Sequence, residues 1–286
     1  MQSQSNKNEW TEVISPRRGL LDLRLSELWQ YRDLIWMFVK RDFAGAYKQT
    51  LLGPLWFFLS PFFTPLMYTF VFSTIAKLKT DGIPGPLFYL SGTTLWGYFQ
   101  QNFSSSSTTF ITNADLFGKV YFPRLVTPIS TTISNLVKFF IQLIVLALLI
   151  AYYVTYRGVE IHINSYIALF PFLLFLTAGI AFGTGVITSA LTTKYRDFTI
   201  FVNYGITMTM YITPVIYPMS QVPDRFKPLL MLNPMVPIFE TFRYSLFGLG
   251  SFSWAGLCYS TVFMVVVVFV GVVIFNQVEK NFMDTV

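Results

Sequence analysis

Val265-Val266-Val267-Val268-Phe269-Val270-Gly271-Val272-Val273 is almost purely aliphatic, and it lies inside a longer window, Tyr244 to Val278, that holds no Asp, Glu, Lys or Arg. A helix needs about 20 predominantly apolar residues to cross the hydrocarbon core of a bilayer. This segment meets that length and has no charged face to turn toward water. Working outward, five more uncharged windows occur: Leu51–Ala76, Leu87–Ala114, Phe139–Tyr156, Ile161–Thr193 and Phe198–Pro223. The whole chain of 286 residues is 53% hydrophobic and 12% charged, against about 25% charge in soluble domains, and its mean hydropathy is +0.54. Six such windows in so short a chain argue against a soluble helical protein. They are continuously apolar instead of alternating with period two, which argues against a β-barrel. The expected fold is all-α: a polytopic membrane protein with six transmembrane helices near 53–76, 87–111, 128–154, 164–190, 198–219 and 253–276.

An even number of crossings puts both termini on one side, and the bias of Lys and Arg chooses the side. Lys7, Arg17, Arg18, Arg24, Arg32, Lys40, Arg41, Lys48, Lys119, Arg124, Lys194, Arg196 and Lys280 fall on the terminal side, and Lys77, Lys79, Arg157, Arg225, Lys227 and Arg243 on the other. Thirteen against six predicts cytoplasmic termini. The net charge of +6 is therefore mostly a topology signal, and no nucleic-acid partner is expected. Met1 to Ser15 is polar, so no cleavable leader is expected. The lone Cys258 cannot form an internal disulfide.

The chain divides into an amino-terminal extension, 1–25, an amphipathic interface helix, 26–50, and a six-helix domain, 51–286. In the second part Ser26-Glu27 reads as a helix start. Leu28, Tyr31, Ile35, Phe38, Val39 and Phe43 then recur at helical spacing among Arg32, Asp33, Lys40 and Arg41, with Trp29 and Trp36 suited to the headgroup zone. Pro54, Pro61 and Pro65 predict a bent first span. Lys138 is the one ionisable group inside a span, and a helix that began near Asn135 would let it snorkel to the cytoplasmic interface.

Catalytic chemistry is sparse. His162 is the only histidine, so no metal cluster or histidine acid–base pair can form. There is no G-x-x-x-x-G-K-[ST] phosphate loop, because Gly118-Lys119 is followed by Val120. No cofactor is expected in this chain, and it is not expected to be an enzyme. Intramembrane acids, which an ion-coupled carrier would need, are missing.

The second span is unusual: Trp96-Gly-Tyr-Phe-Gln-Gln-Asn-Phe-Ser-Ser-Ser-Ser-Thr-Thr-Phe-Ile-Thr112 is aromatic, amide-bearing and hydroxyl-rich without charge. Such groups cost free energy against lipid and must face other helices or a cavity. Sugar hydroxyls pair with amides and hydroxyls, and sugar rings lie on aromatic faces. Trp96, Tyr98, Phe99, Phe103, Ser104 and Ser107 are thus candidate channel-lining residues, with Ser/Thr contacts between helices as the competing reading. Asn113 or Asp115 caps an expected short helix through Gly118 and Tyr121, stopped by Pro123, a knob suited to a docking partner. Between Tyr217 and Gly248, prolines 218, 223, 228, 234 and 237 separate apolar runs. Leu229–Leu232 and Met235–Phe239 are too short to span and read as re-entrant helices, able to gate an exit.

The chain resembles the membrane subunits of ABC-2 type polysaccharide exporters, the group that moves O-antigen, capsule and teichoic acid chains. The resemblance is carried by Lys40-Arg41-Asp42, Tyr47 through Trp56 (YKQTLLGPLW), Lys119-Val120-Tyr121-Phe122-Pro123-Arg124-Leu125, Tyr195-Arg196-Asp197, Thr213-Pro214-Val215-Ile216-Tyr217-Pro218, Leu232-Asn233-Pro234 and Phe239-Glu240-Thr241-Phe242-Arg243. It implies a homodimeric pore in a bacterial plasma membrane, with two copies of a separate ATPase binding ATP and magnesium on the cytoplasmic face. The implied substrate is a glycan on an undecaprenyl or phospholipid anchor. The implied ATPase-coupling residues are Arg32, Asp33, Arg41, Asp115, Leu116, Lys119, Phe122, Pro123 and Arg124. The implied outer gate comprises Tyr217, Pro218, Asn233, Pro234, Glu240 and Arg243. Two other readings stay open: an exporter of small drugs or lipids, differing only in pore lining, and an integral membrane enzyme of glycan assembly, which would need convergent acids or histidines.

Overall fold

The computed structural model describes residues 25–47, 55–195 and 197–282, and among them every regular element is helical. The extension up to residue 24, the stretch Lys48 to Pro54 and Arg196 lie outside the described residues.

Two helices, α1 (Leu25–Gln30) and α2 (Arg32–Tyr47), take the place of the single expected interface helix, with a break at Tyr31. Leu28, Phe38 and Val39 are buried, whereas Trp29 and Trp36 are exposed. The buried stripe seats α2 along a later helix, as the spacing of its apolar residues requires.

α3 (Trp56–Tyr68) runs into a π-helical segment, Thr69–Ile75. Pro65 supplies no N–H, and past it the ladder widens: the Ala76 N–H reaches back five residues to the Val71 carbonyl at 2.9 Å. α4 (Gly85–Ser107) opens on Pro84 and Pro86, whose missing N–H groups have no helical role in a first turn. Two single turns follow, α5 (Thr109–Thr112) and α6 (Ala114–Phe117). α6 ends four residues short of Tyr121, so the expected helix through Gly118 and Tyr121 is corrected to one turn. Its cap also differs, since the Asn113 side chain donates back to the Thr109 carbonyl instead of capping forward.

α7 (Val126–Arg157) is followed by a 3-10 turn, Ser165–Leu169, that leads into α8 (Phe170–Lys194). α9 (Phe198–Ile212) stops seven residues before the expected end because Thr213 precedes Pro214 and takes an extended conformation. α10 (Lys227–Met231) is one short turn, but α11 (Met235–Phe247) has 13 residues and is buried almost throughout. The second outer helix is therefore longer than the run Met235–Phe239 suggested. Gly248, at φ 71°, closes it by donating to the Tyr244 carbonyl. α12 (Trp254–Phe282) ends the fold.

Three helices among the described residues are long and apolar enough to cross a membrane: Val126–Arg157, Ser165–Lys194 and Trp254–Val278. Phe62–Ile75 and Phe198–Ile212 are apolar but shorter. α4 has the length, and its amides and hydroxyls lower its hydropathy.

α4 is central, packing on α3, α7 and α8, and α8 in turn carries α12. The α8–α12 contact is backbone on backbone: a Cβ on Gly271 would stand 2.8 Å from the Gly183 carbonyl oxygen, and one on Gly183 would stand 2.8 Å from Val267 C and Val268 N. Small residues at such crossings let dispersion and weak polar contacts replace the hydrophobic drive that lipid cancels.

Candidate functional site

Most of the candidate site residues fall in three places: the base of the bundle beneath α2, the faces of α4, and the cap in the region of α10 and α11.

At the base, Phe38 meets Phe122 edge-on at 5.7 Å, Phe122 meets Phe117 at 5.7 Å, Phe117 meets Phe110 at 6.0 Å, and Phe110 stacks on Phe275 at 4.5 Å. This row joins α2, through the loop after α4, to the last helix. The Arg124 guanidinium lies over the Phe117 and Phe110 rings at 5.3 and 5.9 Å. Of the candidate coupling residues, Phe122, Pro123 and Arg124 are thus buried and hold the base together, and Leu116 is half-buried. Arg32, Asp33, Asp115 and Lys119 stand exposed. Arg41 is exposed, with its guanidinium over Phe38 at 4.4 Å and its Nε and Nη2 donating to Asp42 Oδ1 at 2.9 and 2.8 Å. Replacing the buried Phe122 by Ala removes contacts on two rings, an expected loss of about 3–5 kcal/mol. Limited proteolysis should then cut α2 markedly faster than in the wild type. An unchanged digestion rate would contradict this role.

The six candidate lining residues separate by helical phase. Trp96, Phe99 and Phe103 fall on one face of α4 and Tyr98 on the opposite one. Trp96 lines a cleft of about 260 Å³ with Tyr68, Gln100 and Gln142. Its indole Nε1–H is buried without a partner, as is the Thr94 hydroxyl in the same cleft. Phe99 and Phe103 line a second cleft, about 350 Å³, with Phe198, Phe201 and the hydroxyl-bearing Thr184, Thr188 and Thr209. Tyr98 packs into the interior on Phe139 at 5.3 Å. Ser107 is buried against α8, where its carbonyl accepts the Thr192 hydroxyl at 2.6 Å, and Ser106 abuts Gly185. Ser104 opens instead onto a crevice below. The serines thus divide between a helix–helix contact and an open crevice.

Sequence reasoning missed a polar network between α4 and α7. Asn135 Nδ2 donates to Asn102 Oδ1 at 2.9 Å, and Lys138 Nζ reaches Gln101 Oε1 and Asn135 Oδ1 at 3.4 Å. The α7 helix begins at Val126, three turns before Lys138 and not near Asn135, and the ammonium lies within reach of protein amides. The repeated amides of 100–102 were the available signal.

In the cap, Arg243 is 2% exposed. Its Nη1 donates to the Pro214 carbonyl at 2.5 Å, its Nη2 to the Val215 carbonyl at 2.7 Å, and its plane covers Phe88 at 3.8 Å. Burial lowers its pKa to about 10 against the pull of nearby Glu240, so it stays a cation at neutral pH. Glu240 accepts from the Ser251 N–H and hydroxyl at 3.1 and 3.2 Å. Asn233 donates to the Thr213 hydroxyl at 2.9 Å and accepts the Met235 N–H, and the Pro234 carbonyl accepts from Ser260. Tyr217 donates to the Ile212 carbonyl at 3.2 Å, and Pro218 is buried beside it. Five of the six candidate gate residues thus make polar contacts, which hold α11 against the segment after α9, the loop before α12 and α12 itself.

Among the described residues no group of three or more His, Cys, Asp or Glu could hold a metal ion. Residues 33–247 match the family model for ABC-2 type transporters. Two proteins of Klebsiella pneumoniae, each named O-antigen export system permease protein RfbA, are 28% and 26% identical to the chain over 254 residues, covering 88% of it and 94% of each relative. A protein of the same name from Myxococcus xanthus is 29% identical over 220 residues, or 76% of the chain and 81% of the relative.

Proposed function

Since the chain belongs to the ABC-2 type transporter family, we propose that it is the membrane-spanning subunit of an exporter of lipid-linked polysaccharide. The observation that carries this is the likeness to three O-antigen export permeases over most of the chain. The linings of the two clefts are in keeping with it: rings, amides and hydroxyls without charge suit a polar polymer that must slide and not lodge. The drug-exporter reading has no comparable support, and an enzyme would need groups these clefts lack.

In this reading the bundle crosses a bacterial plasma membrane six times, with both termini cytoplasmic. α1 and α2 lie along the cytoplasmic surface, where Trp29 and Trp36 meet lipid headgroups. A second copy completes the pore, and two copies of a separate ATPase supply the energy. The exposed Arg32, Asp33, Asp115 and Lys119 meet that ATPase. The aromatic row from Phe38 to Phe275 carries its motion to α12, in the manner of rigid elements pivoting at a packed base. Trp96, Phe99 and Phe103 touch the passing glycan, and the Arg243 cap closes the outer end.

The test is complementation in a cell from which the chain has been removed. Lipid-linked glycan should accumulate on the cytoplasmic face, and the wild-type chain should restore export. Trp96→Phe keeps the ring but deletes a donor that has no partner in the protein, so it should insert and fold at least as well as wild type. Export should nonetheless fall, by about fivefold if one hydrogen bond of about 1 kcal/mol is lost at a bound sugar. Normal export without the chain would overturn the proposal.

A further inference from the structure

Two hollows of about 510 and 210 Å³ lie beneath α2, between it and the adjoining parts of α4, α7 and, for the larger, α9; both are lined by Asp42, Ser105 and Thr131, and Lys138 lines the smaller one. The larger falls in the range of small-molecule sites, about 300–1,000 Å³. We infer that this crevice recognises the sugar hydroxyls at the head of the transported glycan, with Asp42 and Lys138 as its charged anchors; the inference rests on the function proposed above.

The hydroxyl protons along the crevice are already committed. Ser105 donates to the Gln101 carbonyl at 2.7 Å, Thr108 to Ser104 at 3.0 Å, Thr109 to Ser105 at 3.0 Å, and Thr131 to Pro128 at 3.1 Å. Each of these four hydroxyls has given its one proton to its own helix and offers the crevice only lone pairs, while Arg41, Asn113 and Asn203 bring N–H donors to the same lining. Asp42 adds to the acceptors. Both Arg41 bonds fall on Oδ1, and Oδ2 is buried without a partner. A buried carboxylate oxygen without a donor is costly unless a ligand supplies one.

Hydroxyl lone pairs and a free carboxylate oxygen, set among the N–H donors of Arg41 and Lys138, call for a ligand that both donates and accepts. A phosphate group offers no donor at neutral pH and would face the free Asp42 oxygen. A bare metal ion would face the Lys138 ammonium, whose two protein contacts are both long at 3.4 Å. Sugar hydroxyls suit both anchors, donating to Asp42 and accepting from Lys138.

The test uses the transporter in lipid nanodiscs with its ATPase, carrying Cys258→Ser and Ser105→Cys, and follows the rate at which a maleimide labels position 105. The probe is undecaprenyl diphosphate bearing an oligosaccharide, and the control is bare undecaprenyl diphosphate. The sugar-bearing lipid should slow labelling, the bare lipid should leave it unchanged, and Asp42→Asn should weaken the protection about tenfold, the loss of one hydrogen bond to a charged acceptor. Equal protection by both lipids would overturn the inference in favour of the diphosphate. Absence of protection by a sugar-bearing lipid that still stimulates the ATPase would also overturn it, leaving the proposed function intact. Failure of that lipid to stimulate the ATPase would remove the proposed function, and the inference with it.

Discussion

Arg243→Leu should release the cap and abolish export. The substitution leaves the Pro214 and Val215 carbonyls without the two N–H donors that reach them at 2.5 and 2.7 Å. Each buried carbonyl left unpaired costs about 1–3 kcal/mol, and the desolvated cation over Phe88 contributes about 2 kcal/mol more. Leu fills the space but replaces none of these contacts. Gly92 belongs to the same arrangement, since a Cβ there would stand 2.6 Å from the Val215 carbonyl oxygen and 2.9 Å from Nη2. Arg243→Lys keeps the charge but cannot fork onto two carbonyls, so it should recover only part of the loss. Thermal unfolding in detergent reads the stability, and proteolysis between α9 and α11 reads the cap. An Arg243→Leu protein with the wild-type midpoint and an intact loop would contradict this account.

The second large effect is expected at Gly271. Its α-carbon sits against the Gly183 backbone, and neither chain can yield as a flexible side chain would. Gly271→Ala should lower the unfolding midpoint, and Gly271→Val should lower it further or prevent accumulation of folded protein. Overpacking costs about 1–3 kcal/mol where neighbours can shift, and more where they cannot. Gly205 provides the control. It lies within α9, and a Cβ added there would meet nothing within 4 Å, so Gly205→Ala should hold or raise stability by about 0.4–1 kcal/mol. Equal tolerance at both glycines would contradict the close crossing of α8 and α12.

Much of this fold could be read from charge-free windows alone, because a bilayer imposes length and apolarity on any helix that crosses it. The windows at 128–154 and 253–276 match α7 and α12 within a few residues at the amino end. The boundaries that moved have local causes. α9 stops at Ile212 because of Pro214, and α11 continues to Gly248 because Glu240 and Arg243 find buried partners that composition cannot reveal. The candidate lining was legible by residue type but not by direction. Trp96 and Tyr98 look alike as aromatics in a sequence, yet two residues along a helix turn them to opposite faces, one to a cleft and the other onto Phe139. The buried position of Phe122 and Arg124 was likewise hidden, since a short loop between polar residues looks exposed until Phe38 and Phe275 close over it. Asp42 and Lys138 are far apart in the chain and meet only through the seating of α2.

The central claim is that this chain provides the passage while a separate ATPase provides the energy. Its most direct test is reconstitution of the chain into liposomes, with and without a candidate partner ATPase, measuring ATP-dependent transfer of undecaprenyl-diphosphate-linked glycan across the bilayer. The account predicts transfer only when both proteins are present, and none when the hydrolytic residue of the ATPase is replaced. Transfer by the chain alone, or a reconstituted pair that hydrolyses ATP yet moves small amphiphiles and no glycan, would contradict it.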